Sequence, residues 1–327
     1  MAQRTVLEAI REAMDQEMER DPSVFVLGED VGKHGGVFRA TDGLFKKYGE
    51  SRVIDTPLAE SSIVGLAVGA AANGMRPIAE IQFVDFIGPA MNQIIEEAAR
   101  FRYRTAGDFG LPMVVRSPFG GGVHGALYHS QSMEAIFAHV PGLKVVIPSS
   151  PADAKGLLTA AIRDPDPVIY LEHKRTYRLI RGEVPDGDGI VPIGKAAVKR
   201  QGKHLSLIAY GLMLHYCLEA AEKLAGEGVD AEVLDLRTIK PLDEAAVLAT
   251  ARKTGKVLVV HEDNRFGGIA AEVMAVIVEN AFDSLDAPLM RVTAPDVPAM
   301  PFNHVLEEAF MPSVEKILAR ARELAAY

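Results

Sequence analysis

Short apolar runs that alternate with helically spaced segments leave this chain few folds to choose from. Val24 to Leu27, Arg52 to Asp55, Ile78 to Phe83, Met113 to Arg116, Lys144 to Ile147 and Val168 to Leu171 read as strands. Between them lie segments of helical period, such as Met91, Ile94, Ile95, Ala98 and Phe101 after Pro89, and a helix over 153–163. Strands this apolar, separated by helices, belong to a parallel sheet covered on both faces. The polar stretch Gly182-Glu183-Val184-Pro185-Asp186-Gly187-Asp188-Gly189 then marks a boundary between domains over 1–185 and 190–327. Beyond it the alternation resumes more compactly, with strands over 205–209, 231–236, 256–260 and 289–292. Helices are expected over 214–224, 243–253, 269–280 and about 313–324. The expected fold class is two successive α/β domains.

Composition narrows the function classes. A chain of 327 residues, 48% hydrophobic and 24% charged, can bury a sizeable core. Its net charge of −9 argues against a nucleic-acid surface, which needs clustered excess Lys and Arg. One cysteine, Cys217, excludes an intrachain disulfide and any multi-cysteine metal site, which points to a reducing compartment. No apolar run reaches the roughly 18 residues of a membrane span. Thr5 and Glu8 form a capping box for an acid-rich amphipathic helix, unlike a transit peptide. The expected location is the cytoplasm, or a mitochondrial matrix if a presequence has been removed.

The stretch Asp55-Thr56-Pro57-Leu58-Ala59-Glu60 and the run after it carry the strongest local signal. Thr56 can cap a helix and Pro57 can open one. The helix is expected to run through Ile63, Val64, Leu66 and Val68 to Asn73-Gly74, apolar nearly all round and therefore buried. Glu60 in its first turn gains from the helix dipole, but only about 0.3 to 1 kcal/mol. A capping box from Thr56 would need its acid at Ala59, so the local account of Glu60 is incomplete.

Other motifs fail on inspection. Gly120-Gly121-Gly122-Val123-His124-Gly125 has the spacing of a dinucleotide fingerprint, yet it does not turn straight from strand into helix. Gly187-Asp188-Gly189 looks like the start of a thiamin diphosphate magnesium motif, but the next asparagine is Asn264. It reads as a surface turn. There is no G-x-S-x-G, no H-E-x-x-H and no P-loop. What remains is a sparse set of polar groups at strand ends: Glu60, Gln82, Asp85, His124 and His129.

Those residues carry a resemblance. Leu27-Gly28-Glu29-Asp30-Val31-Gly32, the Asp55 to Glu60 stretch, Glu80-Ile81-Gln82-Phe83, Gly125 to Ser132, Pro141 to Val146 and Asp235-Leu236-Arg237-Thr238 are similar to the β subunit of the thiamin-dependent E1 component of 2-oxo acid dehydrogenase complexes. Within that family the branched-chain (2-oxoisovalerate) type is the nearest. The resemblance implies a thiamin diphosphate (pyrimidine-binding) fold followed by a transketolase C-terminal-like domain. It implies an E1 α partner in an α2β2 heterotetramer, a lipoyl-bearing E2 core and a 2-oxo acid substrate. It also accounts for the missing metal motif, because the α subunit of this family holds Mg2+ and the diphosphate.

Carried over by position, Glu60 matches the glutamate that bonds N1′ of the cofactor pyrimidine. Phe86 matches the aromatic residue packed on that ring, Leu58 a backbone contact, Gln82 a pocket residue and His129 a histidine near the substrate. Leu111, Met113, Ala161, Asp164 and Asp166 resemble a monovalent-cation (K+) site, although Asp166 stands where a family member can have asparagine. The expected activity is oxidative decarboxylation of a branched-chain 2-oxo acid with acyl transfer to lipoamide, in the presence of the α subunit. The rival readings are a pyruvate-specific β subunit and a non-catalytic scaffold that only binds E2.

Overall fold

The amino-terminal helix begins where its capping box places it. In the computed structural model, which describes residues 1–327, the Glu8 amide donates to Thr5 Oγ1 at 3.2 Å and the Thr5 amide donates to Glu8 Oε2 at 2.7 Å. Helix α1 (Val6–Arg20) buries Val6, Ala9, Ile10, Ala13 and Met14 on one stripe. Strand β1 (Ala2–Thr5) precedes it and pairs antiparallel with β8 (Arg181–Val184). Part of the stretch read as a linker is therefore sheet, a pairing that no local pattern announces.

The chain divides into two units, Met1–Phe119 with Ile136–Ile193, and Gly120–Ala135 with Gly194–Tyr327. In the first, β2 (Val24–Gly28), β3 (Val53–Asp55), β4 (Arg76–Glu80), β5 (Val114–Phe119), β6 (Lys144–Val146) and β7 (Val168–His173) lie parallel in the order β6-β7-β5-β4-β2-β3. Strand β2 has β3 on one side and β4 on the other, so the chain reverses direction across it. The carboxyl ends of β2 and β4 flank the crevice that such a reversal opens. Gly28 lets these strands meet, since a Cβ there would come within 2.7 Å of the Glu80 carbonyl oxygen.

Helix α2 (Glu60–Ala72) starts at Glu60 rather than at Pro57, and its cap Ala59 contributes no side-chain bond. The Thr56 amide donates to the Gly28 carbonyl at 3.0 Å, which holds residues after β3 extended. The helix ends at Asn73-Gly74 as its sequence indicates, with Gly74 at φ +87°. It buries Ile63, Val64, Ala67 and Ala71, but Leu66 is 59% exposed. All-round burial is thus not achieved within this chain.

The helix expected after Pro89 is broken into a 3-10 turn (Gly88–Ala90), a π-helical segment (Gln93–Ala98) and a short helix (Phe101–Arg104). The Ala99 amide reaches back to the Ile94 carbonyl at 2.9 Å, the five-residue step of a π-bulge. The Ala99 carbonyl turns toward Gly142, which sits at φ +96° with no room for a Cβ. Helix α3 (Pro151–Arg163) is capped by Ser150. Under the sheet, the fully buried Arg116 donates to Glu172 at 2.6 and 2.8 Å and to Glu80 at 2.7 Å. Burial is the main influence on the Glu80 carboxyl and raises its pKa against the pull of Arg116.

In the second unit, β9 (Ala197–Arg200), β10 (Leu205–Ala209), β11 (Ala231–Asp235), β12 (Val257–Asn264) and β13 (Met290–Ala294) form a sheet of order β13-β12-β10-β11-β9. Only β9 runs antiparallel. Helices α4 (Leu212–Gly226), α5 (Glu244–Thr254), α6 (Ile269–Ala281) and α8 (Val314–Ala325) follow the sequence reading closely. Asp243 caps α5 and Ser313 caps α8, each through its side chain. Strand β9 and the short α7 (His304–Phe310) were not legible in the sequence.

Candidate active site

The carboxyl edge of the first unit's sheet gathers the polar residues that follow β2, β3 and β4. Glu60 opens α2, half-buried, and its carboxylate has no hydrogen bond or ion pair within the chain. Its neighbour in charge is Glu29, whose pKa is raised first by burial and then by the charges of Asp30 and Glu60. Gln82 Nε2 donates to the Glu29 carbonyl at 3.4 Å, which ties the β4 end to the β2 loop. Asp55 accepts from the Gly32 amide at 2.6 Å and steadies the same loop. Phe86 meets Phe83 edge-on with ring centroids 6.0 Å apart, and Phe83 meets Phe38 in the same way at 5.4 Å. Leu58, just before α2, is 70% exposed. The buried Thr56 Oγ1 has no partner. Glu60 and Gln82 are brought together around Glu29, whose part in this edge the sequence did not reveal.

His129 belongs to the second unit, half-buried after the 3-10 turn Ala126–Tyr128. The glycine-rich loop before it does not present its amides to a phosphate. The Gly121 amide donates to Glu262 at 2.5 Å, and the Gly122 and His124 amides donate to Glu307 at 3.1 and 3.2 Å. Ser132 Oγ reaches Glu262 at 3.4 Å and the Ala135 amide reaches Asp263 at 3.4 Å. Tyr210 donates to Glu134 at 2.7 Å. Burial raises the Asp263 pKa to about 6 and pushes Glu134 well above the usual carboxylate range. The sequence held one signal of this anchor: the apolar run Val257 to Val260 passes directly into His261-Glu262-Asp263 while still buried strand.

Two family descriptions match the chain, the transketolase pyrimidine-binding domain over residues 2–180 and the transketolase C-terminal domain over 194–317. The chain is 59% identical over 327 residues, all of both chains, to the 2-oxoisovalerate dehydrogenase subunit beta of Bacillus subtilis. It is 50% identical to the pyruvate dehydrogenase E1 component subunit beta of the same organism, over 99% of each chain. It belongs to the E1 β-subunit family of the 2-oxo acid dehydrogenases. Among solved structures, a split gene transketolase described as an inactive beta4 tetramer superposes with a TM-score of 0.80 at 25% identity, covering 98% of each chain. The two α/β units of this E1 β chain are thus the transketolase-type fold that the sequence resemblance implied.

Thiamin diphosphate is the cofactor of this family, and the first unit's edge suits part of it. An unpartnered carboxylate at Glu60, an orphaned hydroxyl at Thr56, exposed Leu58 and the Phe83–Phe86 pair offer a polar and an apolar side to a flat heterocycle. The expected monovalent-cation cluster is built differently. Lys144 Nζ lies 2.6 and 2.7 Å from the two Asp164 carboxylate oxygens, and Arg102 Nε lies 2.5 Å from Asp166. The Asp166 amide donates to Asp164, the Asp164 amide to the Ala161 carbonyl, the Met113 amide to the Leu111 carbonyl and the Val168 amide to the Met113 carbonyl. In this E1 β chain the Asp164 carboxylate is therefore paired with an ammonium group, and the Leu111, Met113 and Ala161 carbonyls each accept from a backbone amide.

Proposed function

We propose that this chain, assembled with an E1 α subunit, carries out the oxidative decarboxylation of a branched-chain 2-oxo acid and passes the acyl group to a lipoyl-bearing E2. The full-length 59% identity to the 2-oxoisovalerate dehydrogenase β subunit carries this reading. The apolar face of α2 left uncovered around Leu66 supports a need for a partner chain. No helix is long and apolar enough to cross a membrane, and bacterial relatives favour a cytoplasmic enzyme.

Bound thiamin diphosphate supplies a nucleophilic carbon for the 2-oxo group and a sink for the electrons left when carbon dioxide departs. Glu60 holds the proton shared with N1′ of the pyrimidine, from a half-buried position at the start of α2 where its carboxylate has no partner within the chain. Gln82 keeps the Glu29 loop in place, Phe86 packs against the pyrimidine, Leu58 supplies a backbone contact to it, and His129 donates a proton to the substrate oxygen or assists acyl transfer. Magnesium and the diphosphate fall to the α subunit.

The pyruvate-specific reading has support in the 50% identity to a pyruvate dehydrogenase β subunit, so substrate choice is the deciding test. A pocket discriminates single methylenes by about 1 to 3 kcal/mol. The chain co-purified with its α partner should show kcat/KM for 2-oxoisovalerate at least about tenfold above pyruvate. A preference for pyruvate overturns the branched-chain assignment, and full activity of the isolated chain overturns the shared site.

A further inference from the structure

The second unit holds a cluster that the decarboxylation does not use. His124 in the glycine-rich loop and His304 and Glu307 of α7 place one nitrogen or oxygen ligand atom each within 4.8 Å of one another. His304 and Glu307 are three residues apart on one helix and so share a face. His124 Nδ1 lies 2.8 Å from Glu307 Oε2, and the two imidazole centroids are 5.3 Å apart.

The carboxylate is the built part of this cluster. Glu307 is only 4% exposed, and its Oε1 accepts from the Gly122 and His124 amides at 3.1 and 3.2 Å. Those bonds fix the group and leave Oε2 facing His124, the arrangement in which outer hydrogen bonds orient a metal ligand. His124 itself is held at φ +56°, a conformation that side chains other than glycine rarely adopt and that turns its ring toward Glu307. His304 completes the set from the exposed side, with Glu308 at 3.1 Å from its Nε2.

We propose that His124, His304 and Glu307 bind a divalent transition-metal ion of the zinc class. Two imidazoles and one carboxylate are the donor set of open zinc sites, and imidazole nitrogen selects zinc, nickel or cobalt over magnesium. The site is therefore chemically separate from the magnesium that the family's cofactor uses. An ion there clamps the glycine-rich loop to α7 within the second unit.

Zinc chloride titrated by calorimetry into the metal-stripped full-length chain tests this, with cobalt absorption as a second readout. The expected result is one ion per chain, with the cobalt form showing the visible bands of a four- or five-coordinate site. Affinity should fall at least about tenfold in His304→Ala and in His124→Ala and should be unchanged in His34→Ala. His304 is largely exposed, so its replacement leaves the fold intact. Failure to bind zinc at one equivalent, or unchanged affinity in either ligand variant, overturns the site.

Discussion

At the scale of single residues, carboxyl groups do most of the chemistry, and burial decides what each can do. On the proposed reading Glu60→Gln removes the carboxyl that holds the N1′ proton while keeping the shape, so decarboxylation by the assembled enzyme should fall roughly 10²-fold or more. The circular dichroism spectrum and assembly should not change. A scaffold subunit would show no loss. Arg116→Met leaves Glu80 and Glu172 buried without their common counter-ion, and loss of one partner of such a set costs about 3–5 kcal/mol. Urea unfolding of the variant should show a loss of that size; a change under 1 kcal/mol would mean that the triad is not electrostatically needed. At Asp164 the ammonium of Lys144 already pairs with the carboxylate at 2.6 Å. Exchanging potassium for sodium at constant ionic strength should move the melting temperature by less than about 2 °C.

At the scale of elements, α2 shows why an apolar helix is not by itself a buried one. Ile63, Val64, Ala67 and Ala71 face the chain's own core, and Leu66 faces away at 59% exposure. Period alone marks both faces as apolar and cannot say which is covered by the same polypeptide. Leu66→Glu should therefore leave the isolated chain folded, with a surface-like stability change within about 0.5 kcal/mol. It should abolish co-purification with the α subunit; retention of the complex would show that this face is not an interface. The neighbouring segment after Pro89 teaches the opposite lesson. Its spacing is helical, but the approach of Gly142 to the Ala99 carbonyl draws the backbone into a π-bulge that no pattern within the segment encodes.

At the scale of the whole chain, pH acts on buried groups of opposite sign in the second unit. Burial lowers the His261 pKa to about 4 from an ordinary 6.5, so the stability from keeping it neutral is present above pH 6.5 and is lost as the pH falls through 4. Asp263 is raised to about 6 from 3.8, so its contribution is complete below pH 3.8 and is lost as the pH rises through 6. Each is worth about 3 kcal/mol at 1.36 kcal/mol per unit, and the two nearly cancel between pH 4 and 6. His261→Phe leaves Asp263 unopposed: relative to the native chain, the variant should gain about 3 kcal/mol of unfolding free energy between pH 7 and pH 4. Parallel pH curves for the two proteins would show that His261 is not buried neutral. The alternation of strands and helices, the cap at Thr5 and the motif around Glu60 could be read directly from the sequence, because each depends on neighbours within a few residues. The late start of α2, the pairing of the first and eighth strands, and the acids Glu262, Asp263 and Glu307 that hold the glycine-rich loop depend on partners up to 185 residues away. Those were set by tertiary structure alone, since a buried amide or carboxylate is satisfied by whatever the fold brings beside it and not by what precedes it in the chain.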